Sequence, residues 1–229
     1  MNTPVAPPVA VQVNVNVAVP TPPSAQAPHS FKPLPDGVAD MDWAQLQAAA
    51  HTCQACALCE QRTHSVFAQG GPRADGQAID WLIVGDAPTH AEDASGQAFA
   101  GEDGVLLDAM LQAIGVQRPA ADAQAHNVVL VHALKCRGPT QRHPSADELQ
   151  LCQQYLSRQI ALLRPRVILA LGRLAAQAVL HEQLSQLQDP LPALGKLRNQ
   201  VHQVQNSAVV VSYHPANLLR SPAPFRTNS

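Results

Sequence analysis

Short apolar runs recur along the chain at residues 81–84, 128–131, 167–171 and 208–212. They are rich in Val, Ile and Leu and do not alternate with polar residues, which is typical of strands buried on both faces. The stretches between them have the apolar spacing of helices, at residues 104–114, 145–163 and 174–181. This repeated order of strand and helix predicts a three-layer α/β/α fold with a central four-stranded, mainly parallel sheet.

The helix predicted at 145–163 has the clearest limits. Ser145 and Glu148 have the spacing of a capping box, and Arg164 followed by Pro165 ends the apolar stripe. Cys152 falls on that stripe, so we expect it to point into the core. Another helix is predicted from Asp42, a suitable N-cap, and it leads into the first cysteines.

The N-terminal segment differs in composition from the rest of the chain. Residues 1–38 contain nine of the twenty prolines, together with Ala, Gln, Ser and Thr. A segment of this kind buries too little apolar surface to offset its ordering entropy. We therefore expect a disordered tail at 1–38 and one folded domain at 39–229.

Composition and charge narrow the class of protein. Charged residues make up 14% of the 229 residues, and the formal net charge is -2. These values exclude binding of nucleic acid through bulk positive charge, although a local basic face remains possible. No apolar run approaches the ~20 residues of a membrane span, and the N-terminus lacks the pattern of a secretory signal. We expect a cytoplasmic protein that is a monomer.

The loops that follow the predicted strands hold most of the candidate functional residues. In an open parallel sheet, ligands bind where these loops converge at the carboxyl ends of the strands. The loops contain Gly85-Asp86-Ala87-Pro88, residues 132–137, Gly172-Arg173 and Tyr213-His214-Pro215. The sequence therefore predicts a functional site at that edge of the sheet.

The chain has five cysteines, which are Cys53, Cys56, Cys59, Cys136 and Cys152. Structural disulfides are not expected in a reducing compartment, so the spacing is considered first for metal binding. A structural zinc site usually uses two close cysteine pairs, whereas the last two cysteines here are sixteen positions apart, on a loop and a helix. This spacing favours an iron-sulfur cluster, with zinc or two buried core cysteines as alternatives. It does not decide which N-terminal cysteine is left out.

Several motifs occur in one order from about residue 43 to residue 222. They are Cys53-x2-Cys56, Arg62-Thr63 with Val66-Phe67, Gly85-x2-Pro88 with Glu92-Asp93, Gly96-x2-Phe99-x-Gly101, Leu134-Lys135-Cys136-Arg137, Arg142-x-Pro144, Cys152, and Tyr213-His214-Pro215-Ala216-x-Leu218-Leu219-Arg220. This set resembles the family 4 uracil-DNA glycosylases, bacterial and archaeal repair enzymes that carry a 4Fe-4S cluster. The resemblance implies a uracil-DNA glycosylase-like fold and DNA containing uracil or another deaminated base as the substrate. It also implies a cluster on Cys53, Cys56, Cys136 and Cys152, with Cys59 as the spare thiol.

The resemblance assigns roles to individual residues. Such enzymes flip the damaged nucleotide out of DNA and hydrolyse its N-glycosidic bond. Phe99 corresponds to the residue that stacks on the flipped base, and the other base contacts correspond to Gly85, Ala87 and His132. His214 corresponds to the residue that stabilises the departing base anion. Asp86 corresponds to the acidic residue that orients the attacking water and stabilises the cationic sugar.

Cationic residues flank the same loops and are candidates for phosphate contacts. They are Lys135, Arg137, Arg142, Arg173, Arg198 and Arg220. Together they would give an acidic chain a local basic face. Each one taken alone is also compatible with an ordinary solvated surface charge.

Several residues depart from the family pattern: Ala98 and Ala100 stand where Pro and Val are usual, and Glu102 and Asp103 where Arg-Ala is common. Three further departures concern the predicted catalytic and base-contacting positions. Asp86 stands where most members have Glu, Thr89 where they have Gly, and His132 where they have the Asn that reads uracil. The shorter Asp86 sets its carboxylate back by about an ångström, a displacement that can slow catalysis ~100-fold. A neutral imidazole carries its donor and its acceptor on separate edges, so it cannot bridge both polar groups of uracil as an amide does.

These departures leave two main hypotheses about function. The first is a uracil-DNA glycosylase, a hydrolase acting on N-glycosyl bonds, with reduced activity or altered base selectivity. The second is a catalytically weak or inactive paralogue that keeps the fold and the cluster and acts as a DNA- or partner-binding protein. A more distant alternative is a zinc-stabilised α/β module, which metal analysis would identify.

Overall fold

A computed structural model of the chain describes residues 31–119, 127–139, 142–186 and 193–220. The first 30 residues of the predicted tail lie outside this range. The remainder of that segment contacts the domain, since the Lys32 N–H donates to the Ala55 carbonyl at 3.0 Å. Leu34 and Val38 pack in an apolar cluster with Leu46 of the first helix. Packing of the domain thus begins before the predicted boundary at residue 39.

A five-stranded sheet forms the centre of the fold. Its strands are β1 (Trp81–Gly85), β2 (Val128–His132), β3 (Val167–Leu171), β4 (Val201–Val204) and β5 (Ser207–Ser212), in the spatial order β2-β1-β3-β5-β4. β1 is parallel to β2 and β3, and β3 is parallel to β5, whereas β4 is antiparallel to β5. The four predicted strands and their parallel pairing are confirmed. β4 is a fifth strand that was not predicted.

β4 has no apolar run because it lies at the edge of the sheet. It includes His202 and Gln203, and none of its four residues is buried. Its hydrogen-bonding partner is β5, with Val201 opposite Val210. An antiparallel edge strand can leave one side exposed to water, so its sequence need not be continuously apolar.

The described residues form eight α-helices and one 3₁₀-helix, Ala57–Gln61. The α-helices are α1 (Trp43–Thr52), α2 (His90–Ser95), α3 (Glu102–Ala113), α4 (Ala146–Leu163), α5 (Arg173–Val179), α6 (His181–Ser185), α7 (Leu194–Leu197) and α8 (Pro215–Arg220). The helix predicted at 174–181 is interrupted at Leu180 and becomes α5 and α6. In the described part of the chain, no helix has the length and apolar composition needed to cross a membrane.

The two faces of the sheet are covered by different helices. Leu82 and Val84 of β1 pack in one cluster with side chains of α4 and α5. Ile83, which points to the opposite face, packs with Leu107 and Leu111 of α3. This alternation confirms the three-layer α/β/α architecture.

The predicted helix caps are present. Ser145 Oγ accepts a hydrogen bond from the Glu148 N–H at 3.2 Å, and the Glu148 carboxylate accepts from the Ser145 N–H at 2.8 Å. Asp42 caps α1 in the same way, together with Gln45. Cys152 lies on the buried side of α4, as the apolar stripe predicts.

Candidate active site

Three aromatic rings from separate segments meet at the carboxyl edge of the sheet. The ring of Phe99 lies 4.8 Å from the imidazole of His132, at the end of β2, with an interplanar angle of 29°. It lies 5.7 Å from the imidazole of His214, which precedes α8, with an angle of 15°. All three side chains are buried, and Phe99 is only 1% exposed. The structure therefore brings together three residues that the sequence assigned to one site.

Phe99 has a backbone conformation that its neighbours fix from several sides. Its φ of 54° is in the left-handed region, which is uncommon for a bulky residue. Its N–H donates to the Glu92 carboxylate, and its carbonyl accepts from Arg118 Nη1 at 3.1 Å. A Cβ on Gly104 would lie 1.8 Å from that carbonyl oxygen, so only glycine fits there. Strain of this kind persists where the surroundings over-determine the conformation.

Glu92 and His132 form a buried pair, and both side chains are 0% exposed. His132 Nε2 lies 2.7 Å from Glu92 Oε1. A carboxylate only accepts hydrogen bonds, so Nε2 carries the proton in this contact. Burial by itself would raise the pKa of the Glu92 carboxyl, but the charge of His132 and the hydrogen bonds outweigh it and lower the pKa to about 2.

The other ring nitrogen of His132 faces the end of β1. Nδ1 is buried and has no hydrogen-bond partner among the described residues. A Cβ on Gly85 would lie 2.4 Å from this nitrogen and 2.7 Å from the Phe99 ring. Glycine at position 85 is therefore what allows the imidazole and the phenyl ring to approach the strand so closely.

Thr89, which departs from the family pattern, caps a helix. Its hydroxyl accepts from the Glu92 N–H at 3.4 Å, and Glu92 Oε2 accepts from the Thr89 N–H at 2.6 Å. The two residues thus form a capping box at the start of α2. Thr89 thus begins a helix, and the Glu92 carboxylate of this capping box also reaches His132.

His214 lies in an environment that keeps its imidazole neutral. Its Nδ1 accepts from the Ala216 N–H at 3.2 Å, which places the proton on Nε2. Nε2 is buried and has no partner among the described residues. Burial lowers the pKa of His214 to about 4, with further repulsion from His132 and Arg220 and an opposing attraction from Glu92. The site therefore holds a neutral imidazole with an unused N–H donor.

The Asp86 carboxylate is held against the loop between β3 and α5. Its Oδ1 accepts from the Ala175 N–H at 2.9 Å. A Cβ on Gly172 would lie within 2.4 Å of all three carboxylate atoms, so this contact requires glycine. Burial raises the pKa of Asp86, while backbone N–H groups at the start of α5 act in the opposite direction.

All five cysteines line one cavity, which Lys135 also borders. Arg62 Nη1 donates to Cys136 Sγ at 3.2 Å, and the Lys135 N–H donates to Cys152 Sγ at 3.3 Å. Hydrogen bonds to sulfur of this type also occur around cysteine-bound clusters. Burial raises the pKa of Cys56 to about 11 and of Cys152 to about 12. Thiols in such a place ionise when a metal or another positive charge compensates the thiolate.

The cysteine thiols of this cavity are donors that both zinc sites and iron-sulfur clusters use. Within the described ranges, no group of three or more His, Cys, Asp or Glu side chains is arranged to hold one metal ion. Four thiolates around a single zinc converge on one point, at ~2.3 Å each. The thiolates of a four-iron cluster bind different irons and therefore stand further apart. Cys59 lines the same cavity as the four predicted ligands. Its position therefore does not identify it as the spare thiol.

The predicted phosphate contacts differ in how their charges are placed. Lys135 is buried, and its Nζ donates to the His132 carbonyl at 2.6 Å, so it presents no charge at the surface. Burial lowers the pKa of Lys135 to about 8, against the effect of the neighbouring thiols. Arg142 makes two 2.7 Å hydrogen bonds to the Glu148 carboxylate, and Arg137 Nε lies 3.9 Å from Asp93.

The other three predicted cations are more accessible. Arg173 and Arg220 are exposed, at the start of α5 and the end of α8. The guanidinium carbon of Arg198 lies 4.0 Å from the centre of the Tyr213 ring, a cation–π contact next to His214. Among the members of the predicted basic face that reach the surface, these three arginines have no carboxylate partner within the described residues.

Sequence reasoning assigned no role to three residues that hold the site together, although two of them, Glu92 and Arg62, stand in the motifs of the resemblance. Glu92 joins Thr89, Phe99 and His132, and its place in a Thr-x-x-Glu capping box is a signal that the sequence does contain. Arg118 fixes the Phe99 carbonyl, and Arg62 contacts a cysteine 74 positions away. Nothing in the local sequence around either arginine indicates these long-range contacts.

The fold and this site define an α/β protein of the class in which reactive side chains gather at the carboxyl ends of parallel strands, here beside a cysteine-lined cavity. The sequence profile of the uracil DNA glycosylase superfamily matches residues 74–228. The chain belongs to this superfamily.

Curated relatives named type-4 uracil-DNA glycosylase match most of the chain. The protein from Pyrobaculum aerophilum is 33% identical over 187 residues, which cover 80% of this chain and 87% of the relative. That from Archaeoglobus fulgidus is 34% identical over 175 residues, or 75% and 80% of the two chains. That from Thermotoga maritima is 30% identical over 172 residues, or 74% and 79%. The resemblance inferred from the motifs is thereby confirmed.

Proposed function

We propose that the protein is a DNA repair glycosylase that hydrolyses the N-glycosidic bond of uracil, or of a related deaminated base, in DNA. The observation that carries this proposal is the stack of Phe99 with His132 and His214 at the carboxyl edge of the sheet. A phenyl ring replaces the stacking that a flipped base loses, and imidazoles can contact its polar edge. The likeness to type-4 uracil-DNA glycosylases supports the same reaction.

His214 is the residue that we assign to the leaving base. Hydrolysis joins the oxygen of water to the anomeric carbon of the sugar and breaks the bond to the base nitrogen, so the base departs with the bonding electrons. Negative charge then accumulates on a base carbonyl oxygen. The unused Nε2–H of a neutral His214 can donate to that oxygen, and a buried, preorganised donor stabilises such charge strongly.

Asp86 is the residue that we assign to the sugar and the water. A carboxylate stabilises the positive charge that develops on the sugar and can accept a proton from the attacking water. The Ala175 N–H and the close approach of Gly172 fix its orientation. Since Asp is shorter than the Glu of the family pattern, we expect this assistance to be weaker than in typical members.

His132 is the residue that we assign to base recognition, together with Gly85 and Ala87 in the neighbouring loop. Its Nε2 is engaged by Glu92, so Nδ1 is the atom left to contact a base. One ring nitrogen makes one polar contact where the amide of an Asn makes two. We therefore propose that uracil is accepted but selected less strictly.

We further propose that Cys53, Cys56, Cys136 and Cys152 hold a 4Fe-4S cluster. These cysteines come from the end of α1, the loop after β2 and the middle of α4, and they line one cavity. When bound, the cluster supplies covalent ties between these three segments. Its proposed part in the reaction is structural, because the ties hold the loop that follows His132.

Arg173, Arg198 and Arg220 are the proposed phosphate contacts, with smaller contributions from Arg137 and Arg142. Their positions around the candidate site would align a DNA strand with the flipped base. We propose that the protein acts on cellular DNA in the cytoplasm. We propose that it acts as a monomer.

One observation favours a second candidate function, a weak or inactive paralogue that binds DNA. The Phe99 ring is 1% exposed and already stacks on two imidazoles. A base can stack on Phe99 only if one of these side chains moves. If neither moves, the protein would keep a DNA-binding face without excising a base.

A glycosylase assay on oligonucleotides containing uracil, hypoxanthine or xanthine tests the proposal. We expect slow excision of uracil by the natural protein and loss of excision in His214→Ala. His181→Ala, which removes a partly exposed imidazole on α6, is the matched control and should keep the natural rate. Binding of these oligonucleotides without excision would instead support the second candidate. Neither binding nor excision would refute both.

A further inference from the structure

Lys135 occupies a position between the cysteine cavity and the base-recognition site. Its side chain is 1% exposed. Its Nζ donates to the His132 carbonyl at 2.6 Å, and its backbone N–H donates to Cys152 Sγ at 3.3 Å. The next residue in the chain is Cys136. One buried residue thus contacts both the cysteines and the strand end that carries His132.

The charge of Lys135 lacks a partner of opposite sign in the rest of the site. No carboxylate in the described ranges forms an ion pair with it. The His132 carbonyl accepts a hydrogen bond but carries no net charge. Burying an ammonium group costs several kcal/mol unless an opposite charge lies nearby. The fold therefore places a positive charge where it needs compensation.

The cysteine cavity can supply the negative charge that compensates the Lys135 ammonium. Lys135 and all five cysteines line it. Four thiolates around a four-iron cluster give a net negative charge in a site largely closed to water. Arg62 also donates to Cys136 Sγ, but it is only half-buried and so is partly solvated. Lys135 approaches the same cysteines from the protein interior, where charges are least screened.

We propose that Lys135 supplies the buried counter-charge of the iron-sulfur cluster, an inference that rests on the cluster assigned under the proposed function. Lys135 is a positioning residue, because its contacts are to Cys152 and to the His132 carbonyl and it would act through them. A buried positive charge favours the more negative, reduced form of a cluster. Removing it should therefore make the cluster harder to reduce.

The test is a redox titration of the full-length protein, purified without oxygen and followed by electron paramagnetic resonance. We compare the natural protein with Lys135→Met and Lys135→Gln. The Gln side chain can still donate to the His132 carbonyl, so this variant separates the charge from the hydrogen bond. Both variants should lower the equilibrium constant for reduction about tenfold or more, which is about 59 mV for a one-electron step. Lys196→Met, which removes an exposed lysine on α7, should leave it unchanged.

An unchanged potential in a variant that holds its cluster would overturn the proposal. A variant that keeps its helix content by circular dichroism but no longer retains iron would support it. Absence of an iron-sulfur cluster from the natural protein would remove its basis, whereas a glycosylase assay reports on the proposed reaction independently.

If neither variant folds, Lys135→Arg decides, because it keeps a positive charge at the same position. It should hold the cluster at the natural potential. A folded Lys135→Arg protein with a shifted potential or without iron would contradict the inference.

Discussion

The two imidazoles that stack on Phe99 differ in their electrostatic surroundings. His132 is paired with the Glu92 carboxylate, whereas His214 contacts a backbone N–H and its Nε2 has no partner in the part of the chain that the structure describes. Burial and the proximity of His132 lower the pKa of His214 to about 4. The same residue type therefore has two proposed roles, one that reads the base and one that donates to the leaving oxygen.

The low pKa of His214 predicts a loss of stability in mild acid. As pH falls from 6.5 to about 4, the unfolded chain binds a proton at this residue and the folded chain does not. The unfolded state is favoured across that range, by about 3 kcal/mol at its lower end. Urea unfolding of the natural protein and of His214→Gln should show that the variant is less sensitive to pH in this window. Parallel pH profiles would mean that His214 is not buried in the neutral form.

Substitution of His132, the residue assigned to base recognition, is expected to raise the selectivity for uracil. His132→Asn restores an amide with adjacent donor and acceptor, so discrimination for uracil should improve by ~1 to 3 kcal/mol. The comparison of kcat/KM for uracil and hypoxanthine measures this, alone and combined with Asp86→Glu. Thr89 is best left in place, because Thr89→Gly would remove the cap of α2. Slower uracil excision by His132→Asn would show that the imidazole itself is suited to the pocket.

At the scale of elements, the segment between β1 and α3 sets the position of Phe99. The carbonyl of Phe99 packs directly on Gly104, in the first turn of α3. Arg118 adds a hydrogen bond to the same oxygen at 3.1 Å. The aromatic ring is thus positioned by the backbone that holds it as much as by its own contacts.

This packing predicts that Gly104→Ala disturbs both stability and the site. A Cβ would lie 1.8 Å from the Phe99 carbonyl oxygen, which forces a backbone shift, and overpacking of this kind costs about 1 to 3 kcal/mol or more. Gly195→Ala in α7 is the matched control, since its Cβ would meet nothing within 4 Å. Denaturant unfolding should show a loss only for Gly104→Ala, together with slower excision. Equal stability of the two variants would mean that the loop around Phe99 adapts freely.

Elements with strong local signals could be predicted from the sequence, and contacts between distant segments could not. The apolar runs of β1, β2, β3 and β5 and the capping box of α4 gave correct elements, whereas β4 has too short and polar a sequence. The meeting of His132 and His214 followed from the rule that loops meet at the carboxyl edge of a parallel sheet, whereas the place of Phe99 beside them was implied only by the family resemblance. The pairing of His132 with Glu92 joins residues 40 positions apart. Likewise, no sequence pattern distinguishes a buried Lys135 from a solvated one.

At the scale of the whole molecule, the cysteines connect segments that lie far apart in the chain. Cys53 follows α1, Cys136 follows β2, and Cys152 lies in α4. A cluster bound across these positions would act as a clamp between the outer helices and the sheet. Such a clamp adds to the free energy of unfolding without contacting the substrate.

The clamp predicts different outcomes for two cysteine substitutions. Cys152→Ala should lose the brown colour and about 2 kcal/mol or more of stability, because a ligand and its tie to α4 are removed. Cys59→Ala should keep the colour and about four irons per chain, since Cys59 is the proposed spare thiol. Iron analysis and thermal unfolding of anaerobic samples measure both effects. Loss of iron from Cys59→Ala instead would make Cys59 a ligand, and zinc in place of iron would exclude the cluster.

The distribution of charge over the molecule predicts a shallow salt dependence of DNA binding. Lys135 is buried and Arg142 is paired with Glu148, so the proposed contacts reduce mainly to Arg173, Arg198 and Arg220. Each neutralised phosphate contributes about -0.9 to the slope of log K against log salt, which gives about -3 for three contacts.

Substitution of Arg173 and of Arg142 tests whether an arginine without a carboxylate partner among the described residues contributes more to the salt dependence than one paired with a carboxylate. Arg173→Ala should reduce the magnitude of that slope by about 1, because one phosphate contact is removed. Arg142→Ala, which removes a cation already neutralised by Glu148, should change it far less. Binding titrations on one oligonucleotide at several salt concentrations measure all three slopes. A slope near zero in the natural protein, or an equal change in both variants, would show that DNA does not lie across this face.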